Sequence, residues 1–283
     1  SAFDCNGDAL PDLFAAGGEN PAALFVNGTP AEGGDIAFSA ADLPEITGVT
    51  GGYPVDVDGD GTLDIFVQRA GPNVVLRGLG DCRFERAEER LGLAGGNAWS
   101  TAFSATFEGD AHLPTLAIGN YVDRADPDGP FRTCDTHTLL RPAGETYGPP
   151  LAFGPGHCTL SMLFFDWTGT GERALWVSND RHYYVDEGEE QLFRLGPVPT
   201  PYTAADGWKK SRLWGMGIAA RDLSNDGRPE VFVTSMADQK LFELDGDGRT
   251  PAYAAASYAR GTTAHIPYVG GEGRPSTGWH AEF

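Results

Sequence analysis

The chain has 283 residues, of which 39 are Gly and 20 are Pro, and its formal net charge is −20. That length and that supply of turn residues suit many short strands, in one large domain or two ordinary ones. The acidic balance argues against nucleic acid and against an anionic membrane surface as partners, since both reward Lys and Arg patches, and no apolar run reaches the ~18 residues of a spanning helix.

Ser1-Ala2-Phe3 reads as a strand with no signal peptide before it, as a processed or truncated start would. It runs into Asp4-Cys5-Asn6-Gly7-Asp8-Ala9-Leu10-Pro11-Asp12. The same nine-residue pattern returns as Asp56-Val57-Asp58-Gly59-Asp60-Gly61-Thr62-Leu63-Asp64 and as Asp222-Leu223-Ser224-Asn225-Asp226-Gly227-Arg228-Pro229-Glu230. Oxygens at positions 1, 3, 5 and 9, with the backbone carbonyl of position 7, can surround a hard cation that takes six to eight oxygens. The expected ligands are therefore Asp4, Asn6, Asp8, Leu10 and Asp12 in the first loop, and Asp56, Asp58, Asp60, Thr62 and Asp64 in the second. Asp222, Ser224, Asp226, Arg228 and Glu230 are expected in the last, for about three Ca2+ ions per chain. An EF-hand would need Glu at position 12 and flanking helices. Here position 12 is Ala15, Val67 or Val233, and Leu13-Phe14, Ile65-Phe66-Val67 and Val231-Phe232-Val233 are strand-forming runs. Ordinary Asp/Gly turns would account for one such loop but not for three in one register. Ten of the forty acids sit in these loops, and three divalent ions would bring the charge to about −14.

Between the second and the last loop lie two degenerate copies, residues 106–114 and 166–174, in which position 9 is Pro114 or Ala174; neither is expected to hold calcium tightly. Loop starts at 4, 56, 106, 166 and 222 give spacings of 52, 50, 60 and 56 residues, the size of one four-stranded propeller blade each. The second repeat shows the internal order, with a turn at Ala70-Gly71-Pro72-Asn73, a strand at Val74-Val75-Leu76-Arg77, and a hairpin at Gly78-Leu79-Gly80-Asp81 before Cys82-Arg83-Phe84-Glu85. Arg86-Ala87-Glu88-Glu89-Arg90-Leu91 is the best helical candidate and too short to set the fold. Residues 123–156 read as an insertion in the third blade, whose Arg132, His137, Arg141 and Tyr147 are candidates for partner recognition, a solvated loop being the plainer reading. Arg181, His182, Tyr183 and Trp214, with His265 and His280, are candidates to line a channel or face for a sugar or other polar ligand, against the plainer reading of buried strand aromatics. Asp245-Gly246-Asp247-Gly248 lacks the acid at position 9 and reads as a hairpin.

Cys5, Cys82, Cys134 and Cys158 permit three pairings; Cys5 with Cys82 and Cys134 with Cys158 are preferred, the latter closing the Pro/Gly insertion, with four free buried thiols as the plainer alternative. Disulfides persist in oxidising compartments, which points to a secreted, periplasmic or cell-surface protein.

A calcium loop preceded by a Gly/Ala-rich strand and followed by Leu-Phe-Val resembles the FG-GAP or VCBS repeat of integrin-α-like β-propellers. Residues 161–167, 178–184, 214–219 and 276–283 resemble bacterial relatives of cartilage acidic protein, the ASPIC/UnbV group. The resemblance implies an all-β fold, a single β-propeller or a fragment of one. The last residues, Gly278-Trp279-His280-Ala281-Glu282-Phe283, match a strand entering another loop, so a longer parent of about seven blades is expected. It also implies an interaction or adhesion scaffold, or a non-catalytic subunit of an assembly, with a protein or glycan as partner and room for peripheral attachment to a membrane-associated complex. The alternative is a carbohydrate-binding or carbohydrate-active protein. The six His show no zinc spacing, and no Gly-x-Ser-x-Gly elbow or phosphate-cradling loop occurs, so catalysis is the lesser expectation.

Overall fold

A computed structural model describes residues 1–30, 33–127, 133–180, 188–236, 239–246, 248–260 and 280–281. Apolar strand residues punctuated by Gly and Pro turns form five four-stranded antiparallel sheets, each in simple sequential order. The first comprises Ala2–Phe3, Asp12–Ala15, Ala23–Asn27 and Phe38–Ala41; the second Val49–Val55, Asp64–Arg69, Val74–Gly78 and Phe84–Arg86. Ser100–Thr106, Thr115–Asn120, His137–Leu140 and Leu151–Phe153 make the third. Thr159–Phe165, Ala174–Asn179, Gln191–Arg194 and Thr200–Pro201 make the fourth, and Gly215–Arg221, Glu230–Ser235, Lys240–Leu244 and Tyr253–Ala255 the fifth. The fold class is all-β, and each meander has the strand order of a β-propeller blade. Among the described residues, helix is confined to single turns such as Glu88–Leu91, where a helix was expected to be short.

The chain divides into two compact units, one of Ser1–Thr101, Phe107–Leu116 and Leu140–Pro150, the other of Ala102–Thr106, Ala117–Leu139 and Leu151–Phe283. In the first unit the core is packed from the first two sheets by Phe14, Leu24, Ile65, Val67 and Leu76. Gly52 is required there, because a Cβ would stand 2.4 Å from the Phe14 ring. In the second unit Trp176 is the largest fully buried side chain, with Trp208 at 5.1 Å and Phe242 at 5.5 Å between ring centroids. The second strands at Thr115–Asn120 and Ala174–Asn179 are buried at every residue, the polar Thr115, Asn120, Ser178 and Asn179 included.

Both expected disulfides are made, Cys5–Cys82 and Cys134–Cys158, each with Cα atoms 4.8 Å apart. The stretch 123–156 is less of an insertion than its composition suggests. It contains the third sheet's own third and fourth strands, with a small hairpin, Pro142–Ala143 with Thr146–Tyr147, between them. The partner-recognition reading of its side chains is corrected by burial. His137 is 0% exposed against Phe153 and Phe193, and Tyr147 is buried. Arg141 is paired with Glu108 at 2.8 Å, and Arg132 lies outside the described residues.

Candidate metal centre

In every sheet the nine-residue loop joins the first strand to the second, so position 9 is the opening residue of the second strand where the motif supplies an acid: Asp12, Asp64 and Glu230. Positions 4 and 6 take left-handed backbone, at Gly59 and Gly61 (φ 74° and 84°), Gly7 and Ala9 (80° and 66°), and Asn225 and Gly227 (58° and 85°). Gly59 has a second constraint, since a Cβ would lie 2.5 Å from Nε2 of His112.

The three full motifs share three hydrogen bonds. The carboxylate at position 1 accepts the N–H of position 6: Ala9 to Asp4 at 2.8 Å, Gly61 to Asp56 at 2.9 Å, Gly227 to Asp222 at 2.9 Å. The carboxylate at position 5 accepts the N–H of position 7: Leu10 to Asp8, Thr62 to Asp60, Arg228 to Asp226, at 2.8–2.9 Å. The acid at position 9 accepts the N–H of position 2: Cys5 to Asp12 at 2.9 Å, Val57 to Asp64 at 2.8 Å, Leu223 to Glu230 at 2.7 Å. Asp12 and Asp64 spend their other oxygen on the third strand, accepting from Asn27 N and Gly78 N at 2.8 Å each. Position 9 thus fastens the loop to the sheet, and its side chain is fully buried in both cases.

The second loop brings its acids closest together. One oxygen each from Asp56, Asp58 and Asp64 lie within 4.8 Å of one another. Burial pushes Asp64 up to about 6, the charges of Asp58 and Asp56 adding to it against the N–H groups of Gly78 and Val57. Burial acts on Asp58 in the same direction, but Arg77 and Arg90 outweigh it and hold that carboxyl below its usual range. Arg77 Nε donates to Asp58 at 2.6 Å and its Nη2 to Asp60, while Arg90 Nη2 reaches Asp58 at 3.2 Å. Tyr147 donates to the Val57 carbonyl at 3.3 Å behind the loop, its own pKa raised by burial and by these acids. Neither arginine nor Tyr147 was expected at this loop. The pairing of Ile65 with Leu76, which carries Arg77 to the loop's end, is a register that the sequence alone does not disclose.

The donor set of the second loop, hard carboxylate oxygens backed by carbonyls, fits a calcium ion. Another group near the first loop, Cys5, Asp12 and Cys82, does not offer thiolates, because the two sulfurs are joined to each other. In the degenerate loop 166–174, Asp166 accepts from the Thr168 hydroxyl at 2.7 Å and from Gly169 N at 2.8 Å. In loop 106–114, Glu108 faces Arg141 and the Thr115 hydroxyl. Of the ligand-pocket candidates, Trp214 forms a β-bridge with Asp180, whose carboxylate accepts from the Tyr121 hydroxyl at 2.7 Å. Arg181, His182, Tyr183 and His265 lie outside the described residues, and His280 is exposed.

Residues 4–67 match the FG-GAP-like repeat. Among curated proteins none matches the chain. Among solved structures, a chain from the crystal structure of BBS1N in complex with ARL6DN, soaked with lead, aligns with a TM-score of 0.41 and 11% identity, over 85% of this chain and 77% of that one. The mercury-soaked crystal of the same complex aligns with a TM-score of 0.42 and 9% identity, over 86% and 76%. No described helix is long and apolar enough to cross a membrane.

Proposed function

We propose that this chain is a calcium-stabilised repeat β-propeller that serves as an interaction scaffold outside the cytoplasm, presenting its surface to a protein partner. The observation that carries the calcium reading is the convergence of Asp56, Asp58 and Asp64 within 4.8 Å, on a loop whose hydrogen-bond pattern recurs at Asp4 and Asp222. Asp56, Asp58, Asp60 and Asp64, with the Thr62 carbonyl, would hold the ion in the second loop. Their counterparts Asp4, Asn6, Asp8, Leu10 and Asp12, and Asp222, Ser224, Asp226, Arg228 and Glu230, would do so in the others. Bound calcium neutralises mutually repelling carboxylates and ties the two strands of each loop together. The two disulfides support an oxidising compartment. The likeness of residues 161–167 and 214–219 to the ASPIC/UnbV group belongs to the same reading.

The test is thermal unfolding of the whole chain in calcium and in excess chelator, with metal counted on dialysed protein. Each site filled at a hundredfold excess over its dissociation constant adds about 2.7 kcal/mol, so chelation should lower the Tm by many degrees, with about three ions per chain. Superimposable melting curves would remove the calcium reading.

A further inference from the structure

The outer strands of the five sheets differ in how well their free edges are protected against pairing with another chain. A row of unpaired N–H and C=O groups invites a further strand unless it is short, charged or interrupted by Pro. Phe84–Arg86 carries Glu85 and Arg86, Thr200–Pro201 is two residues long and ends in Pro, and Leu151–Phe153 stands between Pro149-Pro150 and Gly154-Pro155. Tyr253–Ala255 has three residues, with Pro251 before it and the helical turn Ser257–Arg260 after it. Phe38–Ala41, the outer strand of the first sheet, has four residues with neither charge nor Pro, and Ile36 just before it is 80% exposed.

The free edge of this strand is built to bond. Gly28 N donates to the Ala37 carbonyl at 2.8 Å, and Asn27, Val26 and Phe25 stand opposite Phe38, Ser39 and Ala40. Bonded pairs alternate along an antiparallel ladder, so Ala37 and Ser39 face the third strand while the N–H and C=O of Phe38 and Ala40 lie on the outer side. The side chains of these two residues extend an apolar face, since Ala40 stands opposite Phe25 and Phe25 opposite Leu13. Leu13 and Phe38 are 39% and 40% exposed, whereas the reverse face of the sheet puts Phe14 and Leu24 in the core. Both ends of the strand are acidic. Asp35, Asp42 and Glu45 are exposed, and their carboxylates have no ion-pair or hydrogen-bond partner among the described residues. No Lys, Arg or His occurs in residues 1–68, so no basic side chain of the first sheet competes for them.

We propose that the outer edge of the first sheet takes up an extended segment of a partner protein as an added strand, with apolar residues at alternate positions and Lys or Arg at both ends. Main-chain bonds to Phe38 and Ala40 hold it, its alternate side chains extend the face of Phe38 and Phe25, and its basic ends meet Asp35 and Asp42. A second copy of this chain fits the edge less well, because antiparallel pairing sets the Asp35 end of one strand beside the Asp42 end of the other. The proposal rests on the scaffold reading, to which it gives a site and a partner chemistry, and is independent of the calcium reading.

The experiment is a titration of the whole chain with a blocked synthetic peptide of alternating Val and Thr carrying Lys-Lys at both ends, against the same peptide with Glu-Glu at both ends. The Lys-flanked peptide should bind at least about tenfold more tightly, lose that advantage as salt is raised, and slow hydrogen exchange at the Phe38 and Ala40 amides. Ala40→Pro removes one outward N–H, leaves the bonds to the third strand in place, and should weaken binding by about tenfold or more. Asp35→Lys combined with Asp42→Lys, both at exposed positions, should reverse the preference between the two peptides. The proposal is overturned if neither peptide binds, if the two bind alike, if exchange at Phe38 and Ala40 is unaltered, or if Ala40→Pro binds as the native chain does. A concentration-dependent dimer abolished by Ala40→Pro would overturn it in favour of a second copy at this edge. A protein partner held equally well by the Ala40→Pro chain would overturn this site alone and leave the scaffold reading standing.

Discussion

The loops at 56–64 and 166–174 have the same backbone and different centres. In both, glycines at positions 4 and 6 take positive φ, 74° and 84° in one and 71° and 92° in the other. In both, the Asp at position 1 accepts both glycine N–H groups, Gly59 and Gly61 on Asp56, Gly169 and Gly171 on Asp166. At positions 3, 5 and 9 they part. Asp58, Asp60 and Asp64 stand against Thr168, Thr170 and Ala174, and the two threonine hydroxyls lie 2.6 Å apart, with Thr168 also bonded to Asp166. The turn is thus written by two glycines and one aspartate, and metal chemistry is a second layer laid over it. A loop can lose the second layer and keep the first.

The sharpest way to break this comparison is at position 9. Asp64→Ala copies Ala174 and removes a fully buried carboxylate that accepts from Val57 N and Gly78 N. Even in chelator it should cost about 2–3 kcal/mol by chemical denaturation, because two buried N–H groups lose their acceptor. A variant as stable as the parent in chelator would mean that the acid serves the ion alone.

The fourth sheet carries its own buried acid at a different turn. Glu190 is fully buried, accepts from Trp176 Nε1 at 3.0 Å, Ser178 Oγ at 3.2 Å and Asn179 N at 3.1 Å, and is pushed up to about 7 by burial. A carboxyl raised on folding binds its proton more tightly in the native state, so stability is greatest below the unfolded value of ~4.5 and falls as pH rises through about 7. The loss should be at most about 3 kcal/mol over that window. Glu190→Gln should flatten the slope, measured as denaturation midpoints from pH 4 to 8 in chelator. An unchanged slope would place its origin elsewhere.

Arg77 sharpens the comparison from the cation's side. Its guanidinium already neutralises Asp58 and Asp60, so it competes with the ion for the same oxygens. Arg77→Val, the residue type at the matching Val26 of the first sheet, should raise the calcium affinity of the second loop by roughly tenfold in a calorimetric titration. Weaker binding would show that Arg77 instead holds the carboxylates in place. The smallest effect belongs to Ala9, which sits at φ 66° where the loops starting at 56, 166 and 222 use Gly. Ala9→Gly should stabilise by a few tenths of a kcal/mol, relief of left-handed strain being partly offset by the entropy of Gly, and should leave metal binding unchanged.

The five loop starts, the strand after each of the three full motifs and the two disulfides were legible because each is written locally. A nine-residue motif needs only its own backbone, a buried second strand shows as an apolar run, and paired cysteines flank the segments they close. Residues 123–156 were harder, since their Pro and Gly content resembles a loop while His137–Leu140 and Leu151–Phe153 are strands sustained by their neighbours in the sheet. The same holds for Tyr147, which reads as a recognition residue and is buried behind Val57.

By itself, then, the sequence determined where the chain turns, which acids each loop has to offer and that the fold is built from strands, because those depend on φ preferences and on alternation or continuity of apolar residues over a few positions. The tertiary structure alone decided that Arg77 and Arg90 reach the second loop, that Glu108 turns to Arg141, and that Leu13, Phe25 and Ala40 share one open face. Each of these depends on which residues stand opposite across strands and between segments far apart in the chain. That register is settled by packing the whole sheet, a long-range choice that no short window of residues contains.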